Sequence, residues 1–295
     1  MKNKSINFKK ERDFGDLFND TFAFIGQEFK RFGTAILYYV VPLLILSAIF
    51  STIYSVKLQG AMQSIIEQTS TSDPFLAFTA MGSIAGYVLL TLILSIIAVN
   101  MMLCIVYSYI KMYVKFGREG FTINDVWREA LKNFWHFILT SIIVGLIVMV
   151  GLGLCIIPGV YLGVALSLVF AIMMFEDQGL SSAFNRSFKL IKSKWWFTFG
   201  VFIVTGIIVY ILSLLLSIPS IAMGFKSLFF NLKQAHSPAM NFSVGFYIIS
   251  SVTNLITQFF IVIPIIITSF LYFSFVEEKE KPSILEKIDQ INDNE

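Results

Sequence analysis

Long apolar runs free of Asp, Glu, Lys and Arg, separated by short charged segments, set the pattern of this chain. The first is Phe32–Val56, 25 residues between Arg31 and Lys57. Asp73 and Lys111 bracket 37 residues whose apolar body is Met81–Ile110, and Lys194 and Lys226 bracket 31, Trp195–Phe225. A helix crosses a ~30 Å hydrocarbon core in about 20 residues, so each run predicts a membrane span. The 43-residue run from Asn133 to Phe175 is too long for one crossing. It carries Ile157-Pro158-Gly159, where proline removes a helix N–H and glycine permits a sharp turn. It therefore predicts two antiparallel spans, Phe137–Ile156 and Val160–Phe175. The last run, after Lys233, opens with the polar stretch Gln234–Asn241 and leaves one long span over Val244–Val276, kinked at Pro264. The fold class expected is all-α: a polytopic membrane protein of six transmembrane helices arranged as three hairpins.

Each hairpin is preceded by a stretch with helical periodicity. In the first, Phe14, Leu17, Phe18, Thr21, Phe22, Ile25, Phe29 and Phe32 recur at steps of three and four, with Asp13, Asp16, Asp20, Gln27, Glu28 and Lys30 elsewhere on the wheel. In the second the stripe is Ile123, Val126, Trp127, Ala130, Leu131 and Phe134, with Asn124 as N-cap. In the third it is Leu180, Ala183, Phe184, Ser187, Phe188 and Ile191, with Arg186, Lys189 and Lys192 opposite. These stripes predict amphipathic helices lying in the cytoplasmic interface, each feeding a hairpin. The organisation expected is one integral domain over residues 1–276, built from units at about 13–110, 121–175 and 180–276, followed by a charged cytoplasmic tail, 277–295.

Composition sharpens this. The chain of 295 residues is 56% hydrophobic and only 14% charged, with 31 Phe. A soluble domain runs near 25% charged, so a water-soluble globule is excluded, and so is a disordered chain. Of 22 Lys and Arg, 19 fall on one side of the expected spans together with both termini; only Lys57, Lys226 and Lys233 fall on the other. The positive-inside rule then puts both termini in the cytoplasm.

Candidate chemistry is sparse. Cys104 and Cys155 both lie in apolar runs, and only two His are present, which excludes a thiolate metal cluster and an oxygenase iron held by three imidazoles. Phosphate-loop, dinucleotide-binding and Ser/His/Asp signatures are missing, no metal or cofactor is expected, and the basic residues hug span boundaries instead of forming a nucleic-acid patch. The charged residues fall outside the expected spans, so no intramembrane carboxylate relay is expected. What stands out is a basic aromatic set at the inner boundary: Phe18, Arg31, Trp127, Lys132, Phe184, Lys189, Lys192, Lys194, Trp195 and Trp196. Glu176 and Arg186 sit ten residues apart across the turn out of the fourth span, placed for a salt bridge. Asn100, Asn254 and Gln258 are polar within spans, either joining helices or lining a hydrophilic path. Gly82-x3-Gly86 and Gly159-x3-Gly163 allow close helix contact.

The passage Pro158-Gly159-Val160-Tyr161-Leu162, Ala165-Leu166-Ser167, Phe175-Glu176, then Gly179–Phe188 with Ala183 and Arg186-Ser187, and Lys194-Trp195-Trp196, resembles the glycerophosphoryl diester phosphodiesterase membrane-domain family and related six-span bacterial membrane proteins of unknown function. In that family the phosphodiesterase chemistry belongs to a separate soluble barrel. Only Glu277–Glu295 follow the last span here, so the resemblance implies a membrane module of a bacterial inner membrane and no activity. The function expected is non-enzymatic: a basic aromatic inner surface engaging anionic membrane lipid or a partner protein at the cytoplasmic face. The alternative is a transporter or channel for a small neutral or lipidic solute.

Overall fold

The computed structural model describes residues 6–68, 74–233 and 242–281. The tail beyond residue 281, the Thr71-Ser72-Asp73 stretch and the segment with His236 lie outside the described residues. All regular structure among the described residues is helical: α1 (Phe14–Tyr39), α2 (Val41–Gln68), α3 (Pro74–Phe116), α4 (Ile123–Leu154), α5 (Ile156–Ala165), α6 (Val169–Phe175), α7 (Leu180–Ile191), α8 (Trp195–Lys233), α9 (Val244–Gln258) and α10 (Val262–Glu280). Six stretches are long and apolar enough to cross a membrane: Val41–Gln63, Ile84–Phe116, Ile123–Leu154, Ile156–Phe175, Trp195–Phe229 and Val244–Glu280. The chain is thus an all-helical, multi-pass membrane protein.

Proline sets three of the helix ends. Pro42, Pro158 and Pro264 each lie in the first turn of a helix, where the missing N–H is harmless. Each also denies a hydrogen bond to the carbonyl four residues upstream, at Tyr38, Leu154 and Phe260. Those positions mark the end of α1, the end of α4, and the 3-10 turn Phe259–Ile261 that separates α9 from α10. The breaks therefore fall before the prolines. The first span starts at Val41 and not at Phe32, and the turn expected at Ile157–Gly159 is an extended Cys155 instead. Pro219 is different, since α8 runs through it.

Two further boundaries differ from expectation. The second periodic stretch is no separate helix: α4 continues unbroken from Ile123 through the third span, capped not by Asn124 but by a Thr122/Asp125 capping box. The fourth span is interrupted at Leu166–Leu168, between α5 and α6. There the carbonyl of Ala165 accepts a hydrogen bond from the buried Ser187 hydroxyl of α7 at 2.6 Å, which satisfies a group the helix would otherwise bond.

The chain forms two compact units. Unit 1 comprises residues 1–39, 100–207 and 262–295, and unit 2 residues 40–99 and 208–261, so α3 and α8 contribute to both. In unit 1, α1 packs on α10 and α4, α4 on α5, and α6 on α7. Its core is strongly aromatic: Phe8 stacks on Phe270 with centroids 4.4 Å apart, and Phe24 meets Phe8, Tyr109, Tyr113 and Phe270 edge to face. In unit 2, α2 packs along α9, with the Thr52 hydroxyl donating to Ser251 Oγ at 2.6 Å.

The α4–α5 corner depends on backbone contact. A Cβ on Gly159 would fall 2.5 Å from the Leu152 side chain and 2.6 Å from its backbone nitrogen, whereas one on Gly163 meets nothing nearer than 3.9 Å. Gly159→Ala should therefore destabilise the protein by about 1–3 kcal/mol, as overpacking does, while Gly163→Ala stays within about 0.5 kcal/mol of the parent. Thermal unfolding in detergent micelles checks the contrast; equal midpoints for the two variants would refute it.

Candidate functional site

The charged groups of unit 1 are organised around carboxylates that meet cations or hydroxyls. Glu28 of α1 is 1% exposed. Tyr109 of α3 donates its hydroxyl to Oε2 at 2.7 Å, and Arg118 Nε lies 2.8 Å from Oε1. Arg118 also donates to the Gln27 carbonyl at 2.9 Å. Arg31, one turn further along α1, donates to the Phe121 carbonyl at 2.7 Å and lies over the Phe121 ring. The polar side assigned to Glu28 on the helical wheel is thus wrong. The buried face of α1 runs through Leu17, Thr21, Phe24, Glu28, Phe32, Ala35 and Ile36, while Phe22 and Phe29 are exposed. The spacing 4, 3, 4, 4 from Leu17 to Phe32 carried that information, because it is a continuous helical face with Glu28 inside it.

Arg12 is buried just before α1. It donates to the Phe8 carbonyl at 2.7 Å, pairs with Asp20 at 2.9 Å and lies 4.4 Å from the Phe270 ring centroid. Its backbone N–H donates to Ser274 Oγ at 2.9 Å, which ties the segment to α10. Burial lowers the Arg12 pKa, and the carboxylate of Asp20 opposes that shift.

The structure brings Glu176 and Arg186 together at 3.0 Å and adds partners the sequence pattern missed. Arg186 holds Glu280 with both Nη atoms, and Tyr272 donates its hydroxyl to Glu176 Oε1 at 2.9 Å. Hydrogen bonding to Glu280, then to Glu176, raises the Arg186 pKa and keeps the guanidinium charged. Lys111 bridges Glu129 at 2.8 Å and Asp177 at 2.6 Å, and Lys194 pairs with Glu278 at 2.8 Å. Among the described residues no group of three or more His, Cys, Asp or Glu is placed to hold a metal ion.

The expected basic aromatic set divides in two. Arg31 and Lys194 are occupied internally by the Phe121 carbonyl and Glu278. Trp127 is half-buried and stacks on Tyr39 at 4.3 Å, and Trp195 stacks on Tyr161 and Phe199, donating its N–H to the Tyr161 carbonyl. Phe18 and Phe184 are half-buried. Lys132, Lys189, Lys192 and Trp196 face outward, together with Lys30 and two aromatics outside the expected set, Phe29 and Trp135. Trp196, Trp135 and Phe29 are 77%, 73% and 69% exposed.

The intramembrane polar set also divides. Asn100 is buried in unit 1. Asn254 and Gln258 lie together in unit 2 on the wall of a cavity of about 200 Å³. Ser47 and Ser51 of α2, Thr91 and Ser95 of α3, and Ser251 and Thr257 of α9 complete its polar lining. These hydroxyls escaped notice one by one, although their spacing carries a signal: two i, i+4 pairs, and Ser251-x2-Asn254-x3-Gln258 on one helical face.

A family described as a domain of unknown function (DUF7847) matches residues 120–272. No curated protein and no solved structure matches the chain. The likeness to the glycerophosphoryl diester phosphodiesterase membrane domain rests on the Pro158–Trp196 motif alone, which lies inside the matched segment.

The Glu28 clasp is directly testable. Removing a hydrogen bond to a buried charge costs about 1.5–3 kcal/mol, so Tyr109→Phe should lower unfolding stability by that amount. Glu28→Leu should cost more, because it leaves Arg118 and the Tyr109 hydroxyl without their partner. Denaturant titration in micelles would show both losses; wild-type stability of Tyr109→Phe would rule the clasp out.

Proposed function

Because the chain belongs to the DUF7847 family, a domain family of unknown function matched over residues 120–272, we propose from its surface chemistry that it is a non-catalytic membrane module whose cytoplasmic rim holds anionic lipid headgroups. The observation that carries this reading is the pairing of exposed lysines with exposed aromatic rings in unit 1. Lys132 lies one turn from Trp135, Lys192 four residues before Trp196, and Lys30 next to Phe29. None of these lysines makes an ion pair among the described residues, whereas the inward-turned cations Arg12, Lys111, Arg118, Arg186 and Lys194 each meet a carboxylate. A large aromatic ring left in the open beside an unpaired ammonium is the composition of a headgroup-level anchor: the ring takes the interfacial depth and the ammonium takes the phosphate.

The remaining parts of the proposal follow from charge placement. The excess of Lys and Arg on one side of the spans assigns that side, with both termini, to the cytoplasm. A bacterial inner membrane, rich in anionic lipid, suits such a rim, and the resemblance of Pro158–Trp196 to a membrane module separable from its enzyme supports a role without catalysis. The serial hairpins and interfacial helices belong to this same proposal. The runs α1 and α7, which precede spans and end beside exposed basic and aromatic residues, are the elements that support them.

The test uses the purified full chain in neutral detergent, titrated with short-chain phosphatidylglycerol or phosphatidylcholine while tryptophan fluorescence is read. Phosphatidylglycerol should bind preferentially. At ~1 kcal/mol per cation, Lys132→Gln and Lys192→Gln should each weaken that binding about fivefold, with little effect on phosphatidylcholine. Equal affinity for the two lipids, unchanged in the double variant, would overturn the lipid role and leave a protein partner as the occupant of this face.

A further inference from the structure

We infer that the polar cavity of unit 2 is a binding site for a small, uncharged, polyhydroxylated solute. The inference is independent of the lipid rim, with which it shares no residue.

The cavity walls come from three helices whose apolar stretches are long enough to cross a membrane. At such depth the default occupant of a helix face is aliphatic, as Ile248, Val252 and Ile256 are on the exposed side of α9. Polar groups there carry a desolvation cost unless something hydrogen-bonds them. Scattered single hydroxyls meet that need by bonding back to their own helix, as Thr205 does to the Val201 carbonyl. Here they are not scattered. Ser47 and Ser51, Thr91 and Ser95, and Ser251 with Asn254 and Gln258 bring three polar faces to one volume of about 200 Å³.

Interhelical hydrogen bonding alone does not use up this inventory. Ser47 and Ser95 lie 3.4 Å apart, and Ser251 accepts from Thr52. The side-chain amides of Asn254 and Gln258, each with two donors and an acceptor, have no hydrogen-bond partner among the described residues. Gln258, half-buried, lines the cavity with its amide unmet, and the exposed Asn254 lines both the cavity and a neighbouring groove of unit 2.

Chemistry and size narrow the ligand. No lining residue is ionisable, so an ion would enter without a counter-charge. Every polar lining side chain both donates and accepts, which matches a molecule whose own groups do the same, namely vicinal hydroxyls. At roughly 30 Å³ per water the volume equals six or seven waters, below the pocket size that drug-like ligands need. A short polyol fits; a sugar dimer or an acyl chain does not.

The experiment places the full chain in nanodiscs and records saturation-transfer difference NMR with erythritol, butan-1-ol and acetate as probes. Erythritol should give a saturable signal absent from empty nanodiscs, and the other two probes should not. Thr91→Val, which deletes a hydroxyl at nearly constant volume, and Asn254→Leu should each reduce the erythritol signal at least fivefold. Lys132→Gln should leave it unchanged. Thermal midpoints taken alongside identify any variant that has lost its fold, and Ser95→Ala substitutes for it. Erythritol no better than butan-1-ol, no signal above empty nanodiscs, or a signal indifferent to the cavity variants would each overturn the inference, the second meaning that water alone fills the space.

Discussion

A carboxylate buried among aromatic rings is tolerable only when its charge is met, and Glu28 shows how unit 1 is arranged around that requirement. Its two oxygens are reached by Tyr109 from α3 and by Arg118 from the segment that leads into α4. Arg118 in turn holds the Gln27 carbonyl, and Arg31 holds that of Phe121. One ionised group on α1 thereby fixes the end of α3, the connection to α4 and the packing of Phe24, Phe32, Tyr109 and Phe121 around them. An apolar residue at position 28 would leave Arg118 and the Tyr109 hydroxyl without their partner and would not dictate where Arg118 goes. The clasp contributes placement as well as stability.

Backbone groups obey the same rule. In hydrocarbon a freed carbonyl needs a donor, so breaks in the spanning helices sit where one can be supplied or where a proline has already forced the issue. Pro42, Pro158 and Pro264 act in the second way. Ser187 acts in the first: its hydroxyl reaches across from α7 to the Ala165 carbonyl at the gap between α5 and α6. That contact explains a serine within the apolar stripe of α7, where periodicity alone predicts only a small residue. Through it the α5–α6 break and the seating of α7 depend on each other.

The spans were legible in the sequence because charge in hydrocarbon is costly, and an apolar stretch of 25 or more residues without a single charge is rare outside a membrane. Helix ends were less legible. Proline reads as a break at its own position, yet the bond it abolishes belongs to the residue four places earlier, so the breaks associated with Pro158 and Pro264 lie upstream of both. Glu28 was misread for a different reason. Hydropathy assigns a carboxylate to water, and only its partners, 81 and 90 residues away along the chain, make its burial tolerable. The cavity was nearly invisible because each serine and threonine is unremarkable in a span; what distinguishes them is that three helices turn them toward one point, which no single periodicity records.

These observations separate two kinds of polarity. Charged groups in unit 1 include some that neutralise one another, as in Arg186 with Glu176 and Glu280, and some that stand outside beside aromatic rings, as in Lys132 and Lys192. The cavity of unit 2 is lined by hydroxyls and amides without a charge. The difference is energetic: a hydroxyl at span depth costs little once hydrogen-bonded, whereas an ammonium there costs about 2.5–3.5 kcal/mol on insertion scales. A chain that must recognise an anion does so where water and headgroups screen its lysines, and one that must hold something within its spans is restricted to neutral chemistry. The two polar surfaces therefore differ in composition for an energetic reason: one carries lysines beside aromatic rings, the other only hydroxyls and amides.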